Sequence, residues 1–253
     1  MRRAWWLLGG LILIGTIVVA ILTRPAPVKP TPQSQTNQLN PVYPTDWQTI
    51  GAHKTIKYVA LGDSLAAGYY TSAETKSYQY LIANHLRQNL GFKVNLDGFW
   101  QAGATISGNA LPVITQAIAM QPDLVTIEYG TNEQDQTNPH FATPTQFKTN
   151  LTQLITRIQA QLPQVKIFVL TSWKAETANS YAKVAKTVSH TKHVTAVDIS
   201  SVWQNPANTS TQQTKSWRGH GDGYHPNDRG NQAIANLVNA KIDQQLVPKK
   251  LQH

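Results

Sequence analysis

From about Thr55 onward, short β-branched runs alternate with stretches of helical periodicity. Residues 56–61, 123–129, 165–170 and 194–199 are largely apolar runs of strand length. They predict strands buried on both faces, with a weaker one at 92–96. Between them lie amphipathic segments. The clearest places Phe147, Leu151, Leu154, Ile155, Ile158 and Leu162 on one helical face. It opens at Thr143-Pro144-Thr145-Gln146, which has the form of a capping box with proline at the first helical position. A second segment, 77–90, stops at Gly91, and a last helix starts near Asn227 and buries Ile234, Leu237, Val238, Ile242 and Leu246. Strand–helix alternation of this kind predicts an α/β domain. It is a three-layer sandwich in which a mostly five-stranded parallel sheet carries helices on both faces.

The region before this domain has a different pattern. Ala4 through Leu22 is 19 positions without a charge, close to the roughly 20 residues that span a bilayer as a helix. Arg2 and Arg3 precede it and Trp5 and Trp6 sit at an interfacial position, so the N-terminus is expected in the cytoplasm and the rest outside. A cleaved signal peptide is the alternative. Its passable site at Val18-Val19-Ala20 lies inside the apolar run rather than after it, which favours an uncleaved signal anchor. Residues 23–52 carry Pro25, Pro27, Pro30, Pro32, Pro41 and Pro44 among Gln, Thr and Asn, the composition of an extended stalk. The expected organisation is an anchor at 1–22, a stalk at 23–52 and a domain at 53–253.

Composition narrows the chemistry. Of 253 residues, 41% are hydrophobic, enough for a packed core and against wholesale disorder. The absence of cysteine excludes a disulfide scaffold, a thiolate metal site and a thiol nucleophile. The net charge is +9, and beyond residue 50 there are 18 basic against 12 acidic residues, a moderate +6. That suits an anionic envelope surface. No cluster of Lys and Arg with interleaved aromatics marks a nucleic-acid groove, so no nucleic-acid partner is expected.

In an open parallel sheet, ligands bind beyond the carboxyl ends of the strands. The segments that follow the strands therefore hold the candidate chemistry. After the first comes Gly62-Asp63-Ser64-Leu65-Ala66-Ala67-Gly68, which presents a serine between a buried strand and a helix, at the helix N-terminus. A G-x-S-x-G elbow is absent, because position 66 is alanine. After the second comes Gln101-Ala102-Gly103-Ala104-Thr105, where glycine lets a backbone N–H approach a ligand. After the third, Gly130-Thr131-Asn132-Glu133 supplies a side-chain amide donor. Near the end, Gly221-Asp222-Gly223-Tyr224-His225-Pro226-Asn227 sets a carboxylate three residues before a histidine, within reach of its Nδ1–H. Other readings stay open. Asp63 reads as a turn or capping residue. His220, Asp222 and His225 form a string that can ligate a divalent metal. Trp203 and Trp217 are either core aromatics or part of a lid or acyl pocket. His53, His85, His140, His190 and His193 have no partner visible in the sequence.

In this order and spacing, the four stretches resemble the GDSL/SGNH hydrolase superfamily, over about 55–245. The resemblance implies a flavodoxin-like SGNH hydrolase fold and ester hydrolysis without metal or cofactor. Matched residue by residue, it makes Ser64 the nucleophile and Asp222 and His225 the rest of a catalytic triad. Gly103 and Asn132 join the Ser64 N–H as oxyanion-hole donors. The mechanism it implies is acyl transfer through Ser64 with His225 as base and Asp222 fixing its tautomer. Two departures stand out: Glu133, where the family usually has Asp, and Gly98-Phe99-Trp100-Gln101, which lacks the common Asn-x-Gly lead-in. The expected substrate is a lipid or glycan ester of the envelope, acted on by a monomer held to the membrane by its N-terminal helix. Acyl transfer to a cell-wall glycan and an inactive envelope-binding module are the rival readings.

Overall fold

A computed structural model describes residues 41–174 and 180–251. The expected membrane helix at 1–22 and most of the expected stalk lie outside the described residues. Among the described residues, no helix is long and apolar enough to cross a membrane.

Five strands form one sheet: β1 (Thr55–Gly62), β2 (Lys93–Trp100), β3 (Leu124–Glu128), β4 (Lys166–Leu170) and β5 (Thr195–Val197). Their order is β2-β1-β3-β4-β5 and every neighbouring pair is parallel. The chain leaves β1 to one side for β2 and returns across it to β3. That reversal opens a crevice at the carboxyl ends of β1 and β3, the position where flavodoxin-like sheets bind ligands.

The helices are α1 (Tyr78–Gln88), α2 (Leu111–Ala119), α3 (Pro144–Gln161), α4 (Ser180–Thr191), the single turn α5 (Ser200–Trp203) and α6 (Asp228–Leu246). One sheet face packs against α1, α5 and α6 through Tyr58, Leu86, Phe168, Ile234 and Val238. The other packs against α2, α3 and α4 through Leu61, Ile114, Ile127, Leu151 and Ala185. Strands buried on both faces cannot alternate polar and apolar positions, which is why β3 and β4 read as runs.

The expected strands and the α3 capping box are in place. Thr143 Oγ1 accepts from Gln146 N at 3.3 Å, and Gln146 Oε1 accepts from Thr143 N at 2.8 Å. The expected α3 face is buried as a unit. Boundaries moved where burial is one-sided. As an edge strand β2 runs on to Trp100, half-exposed along most of its length, and β5 is only three residues long.

The domain also begins earlier than its composition implied. A short 3₁₀ turn, Thr45–Thr49, lies against the body. Trp47 packs on the core and donates its indole N–H to the Leu251 carbonyl at 3.1 Å. Gly51 N donates to Leu90 O at 2.7 Å. Gly91 has φ +78°, and a Cβ there would meet Gln48 O at 1.9 Å, so the glycine that ends α1 also admits the incoming chain. Residues from about Tyr43 to Ala52, expected in the stalk, thus belong to the folded chain. Trp47 and Ile50 are too few to make a readable period.

Trp47→Ala is expected to lower unfolding stability by about 2 kcal/mol, less than a full core truncation because Trp47 is half-buried. Urea denaturation of residues 41–253 measures it. An unchanged midpoint would return this segment to the stalk.

Candidate active site

Four loops meet at the carboxyl ends of the strands. The first leaves β1 at Gly62. The expected helix does not begin at Ser64; α1 starts only at Tyr78, and Ser64 stands in an irregular turn. Ala67 N donates to Asp63 O and Tyr69 N to Ser64 O, each at 3.0 Å, one i→i−4 and one i→i−5 bond, so the turn closes around the serine without continuing as a regular helix. Asp63 is fully buried beneath it. Its Oδ1 accepts from Leu65 N at 2.8 Å, and its Oδ2 accepts from Asn132 Nδ2 at 2.7 Å. Sequence reasoning gave Asp63 only a turn role; the structure also makes it the anchor of the Asn132 amide.

Asn132 comes from the loop after β3, and its Nδ2 also donates to Ala104 O, after β2, at 3.1 Å. One amide therefore ties together the segments that follow β1, β2 and β3. Gly103 adopts φ +73° and a Cβ there would meet nothing within 4 Å, so its backbone faces open space. Neither Ser64 N nor Gly103 N has an acceptor among the described residues.

Glu133 explains its own departure from the family pattern. Oε1 accepts from Ile106 N and Oε2 from Gly130 N, both at 2.8 Å, so the longer side chain bridges the loops after β2 and β3. Burial pushes its carboxyl up to about 7 against the pull of those two N–H groups. Burial likewise pushes Asp63 up to about 6, opposed chiefly by the Leu65 N–H. Glu128, on β3, is fully buried, with Oε2 at 3.4 Å from Asp63 N. Burial and the nearby Asp63 charge push its carboxyl well above the usual carboxylate range.

The fourth loop supplies the histidine. His225 Nε2 lies 2.8 Å from Ser64 Oγ, and its Nδ1 lies 2.6 Å from Asp222 Oδ2. Asp222 Oδ1 accepts from Tyr224 N at 2.9 Å, His225 N at 3.0 Å and Ser210 Oγ at 3.2 Å. Partial burial raises this carboxyl, but the His225 and Tyr224 N–H groups outweigh it and hold it below its ordinary value. Gly223 has φ +78°, which lets the loop fold Asp222 back onto the ring. The loop is braced from β4: the buried Trp173 donates its indole N–H to Tyr224 O at 2.8 Å. Below it, Asn227 caps α6 by accepting from Gly230 N at 3.0 Å.

All five residues singled out in the sequence, Ser64, Gly103, Asn132, Asp222 and His225, thus belong to this crevice. The metal string does not assemble. His220 turns its Nδ1 to Gln212 O at 3.1 Å, and among the described residues no group of three His, Asp or Glu side chains is placed to hold an ion. His85 is a core residue paired with Asp243 at 2.7 Å. Trp203 packs on the core, and Trp217 is 40% exposed at the site's rim.

The model of the GDSL-like lipase/acylhydrolase family matches residues 60–233, which include all four loops. The chain belongs to that family. It is accordingly a carboxylic ester hydrolase with the fold that the sheet order displays. No curated protein sequence matches it. Similar solved structures include a family 3 carbohydrate esterase from Clostridium thermocellum, at 23% identity and TM-score 0.61, covering 77% of this chain and 100% of the other. A psychrotrophic esterase from Pseudoalteromonas sp., solved with monoethylphosphonate as inhibitor, shares 18% identity at TM-score 0.60, over 76% and 99% of the two chains. An acetyl xylan esterase shares 19% at TM-score 0.58, over 74% and 100%.

The raised carboxyls set a pH trend for this hydrolase. A carboxyl whose folded pKa lies above its unfolded one contributes stability that is complete below the unfolded value and lost as pH rises through the folded value. For Glu133 that window runs from about 4.5 to about 7. Glu133→Gln is expected to be less stable throughout, because its amide can accept only one of the two N–H bonds, and to lose part of the fall in stability between pH 5 and 8. Urea unfolding at both pH values reads both effects; an unaltered pH slope would mean that Glu133 does not titrate there.

Proposed function

We propose that this hydrolase is a serine esterase working through Ser64, His225 and Asp222. The observation that carries the reading is the unbroken hydrogen-bond chain from Ser64 Oγ through the His225 ring to Asp222. A serine hydroxyl is a weak nucleophile until a base takes its proton, and His225 Nε2 is within hydrogen-bond range to do so. Ser64 Oγ then attacks the ester carbonyl while Asp222 holds Nδ1–H and stabilises the imidazolium. The oxygen that becomes anionic is received by Ser64 N–H, Gly103 N–H and the Asn132 amide. Of the two Asn132 amide hydrogens, one stays on Asp63; the other exchanges Ala104 O for the oxyanion. The imidazolium gives its proton to the leaving alcohol, and water enters by the same steps in reverse. In this reading Asp63 is a positioning residue: it fixes the plane of the amide before charge develops.

The substrate we infer is an ester of the cell envelope. Support comes from the apolar run Ala4 through Leu22, read as an uncleaved anchor, from the +6 balance beyond residue 50, and from the carbohydrate esterases among the similar folds.

Ser64→Ala is expected to abolish p-nitrophenyl acetate hydrolysis and labelling by a fluorophosphonate probe. Asn132→Ala should lower kcat by roughly 10²–10³ with little change in KM. Retention of more than about a tenth of wild-type turnover by Ser64→Ala would end the serine mechanism. A raised KM with unchanged kcat would make Asn132 a substrate-binding residue. Location is tested separately by cell fractionation, with the protein expected in the membrane fraction; recovery in the medium with a new N-terminus near Ile21 would refute the anchor.

A further inference from the structure

The rim of the site carries a cation that pairs with no carboxylate among the described residues. Arg218 lies in the turn joining two short strands, β6 (Lys215–Ser216) and β7 (Gly219–His220). That turn is pinned from both sides. Ser216 Oγ donates to Gly219 O at 2.7 Å and accepts from Arg218 N at 3.1 Å. Trp217 N donates to Thr71 O at 3.2 Å, and its indole N–H donates to Gly68 O at 2.9 Å. Both acceptors belong to the loop that leaves Ser64. The Arg218 guanidinium carbon sits 3.9 Å from the centre of the Tyr69 ring and 4.8 Å from that of Trp217, two rings that meet edge-on at 89°. Tyr69 in turn lies 6.1 Å from the His225 ring. The guanidinium is therefore one ring removed from the catalytic base.

Stacking fixes the plane of a guanidinium but satisfies none of its five N–H donors. Among the described residues, the Arg218 side chain makes no hydrogen bond and no ion pair. Of the carboxylates on neighbouring loops, Glu74 is exposed and makes no ion pair with Arg218, while Asp222 and Asp228 are committed elsewhere. Asp222 is saturated by His225, Ser210 and two backbone N–H groups, and Asp228 holds Ser72 through both oxygens. What remains is an exposed guanidinium, held against two rings, with the fork that pairs with carboxylate or phosphate. Its side of the site is set by the chemistry. His225 delivers the proton to the departing alkoxide, so the alcohol leaves on the histidine side, where Arg218 stands.

We propose that Arg218 binds an anionic group, phosphate or carboxylate, carried by the alcohol portion of the substrate. The natural ester is then one whose alcohol bears a negative charge close to the acylated oxygen. This inference rests on the Ser64–His225 reading, because that reading fixes the leaving-group side.

Two matched pairs of acetyl esters test it in the full chain: acetylglycerol against acetylglycerol phosphate, and an acetylated methyl glucoside against the corresponding methyl glucuronoside. Wild type is expected to favour the charged member of a pair by about 10- to 100-fold in kcat/KM, mostly through KM, and less so at high salt. The pair showing the preference tells a glycerol phosphate source from an acidic glycan. Arg218→Gln should bring that preference near unity while acting on the neutral esters within about twofold of wild type, which also reports an intact fold. Arg218→Lys, keeping the charge and losing the fork, should fall between. No preference in either pair, or an equal loss on neutral and charged esters in Arg218→Gln, overturns the proposal. Failure of the underlying reading shows elsewhere, as neutral-ester hydrolysis that survives Ser64→Ala.

Discussion

A fully buried carboxylate must be hydrogen-bonded or give up its charge, and the site is arranged around one that meets this demand. Asp63 is satisfied by Leu65 N in its own turn and by the amide of Asn132, which lies 69 residues further along the chain. The second bond is possible only because β1 and β3 are neighbours in the sheet, with Gly62 in register with Glu128. The same amide reaches Ala104, so the loop after β2 is drawn into the arrangement as well. Three loops that the strand order merely brings close are locked at their ends by one short polar contact. The Glu133 carboxylate reinforces the lock from the side by holding Ile106 N and Gly130 N.

The histidine loop is positioned by other means. It does not follow a strand of the main sheet, so register cannot place it. It depends on α6 below, through the Asn227 cap, and on Trp173 at the end of β4 beside it. Further support comes from Ser210 N, which donates to His225 O at 2.8 Å, and from Asn231, which accepts from Tyr78 N at 3.0 Å and so ties α6 to the start of α1. Asp222 organises the loop internally, because a carboxylate accepting from the N–H groups of the second and third residues ahead also turns its free oxygen toward the ring. The orientation of His225 is thus a local property of the four residues from Asp222 to His225, whereas its distance from Ser64 is a property of helix packing.

This division explains what the sequence made legible. β3, β4 and the α3 face were readable because burial on both faces of a sheet, or along one helical stripe, leaves a pattern in residue order. Asp222 and His225 were readable as a pair because they are three residues apart. Leu111–Ala119 went unread because it is apolar nearly all round and shows no stripe. Asp63 and Asn132 were both noticed, yet their contact was not, since no local pattern reports a bond across 69 positions. The helix expected at Ser64 was inferred from the usual strand–helix alternation, and the turn that replaces it is held by backbone bonds with no sequence signature. Glu128 carried a usable signal: an acidic residue inside an otherwise buried strand calls for a partner. Arg218 carried none, because its rings come from the turn it occupies and from a loop some 150 residues away.

The buried acid also has an electrostatic consequence for the proposed chemistry. A full negative charge on Asp63 orients the Asn132 amide but opposes the oxyanion that this amide receives. With roughly 6 Å between the charges, about two hydrogen-bond lengths, and an effective dielectric of about 20, the repulsion is about 3 kcal/mol. That is comparable with the roughly 3–4 kcal/mol that one oxyanion donor contributes. Anchoring alone would then return most of what it gains. Glu128 bears on the same balance. Burial and the neighbouring Asp63 push its carboxyl well upward, which disfavours a second negative charge behind the amide. An acid that looks misplaced in the middle of a buried strand is, on this argument, one whose surroundings resist adding a second charge behind the amide that receives the oxyanion.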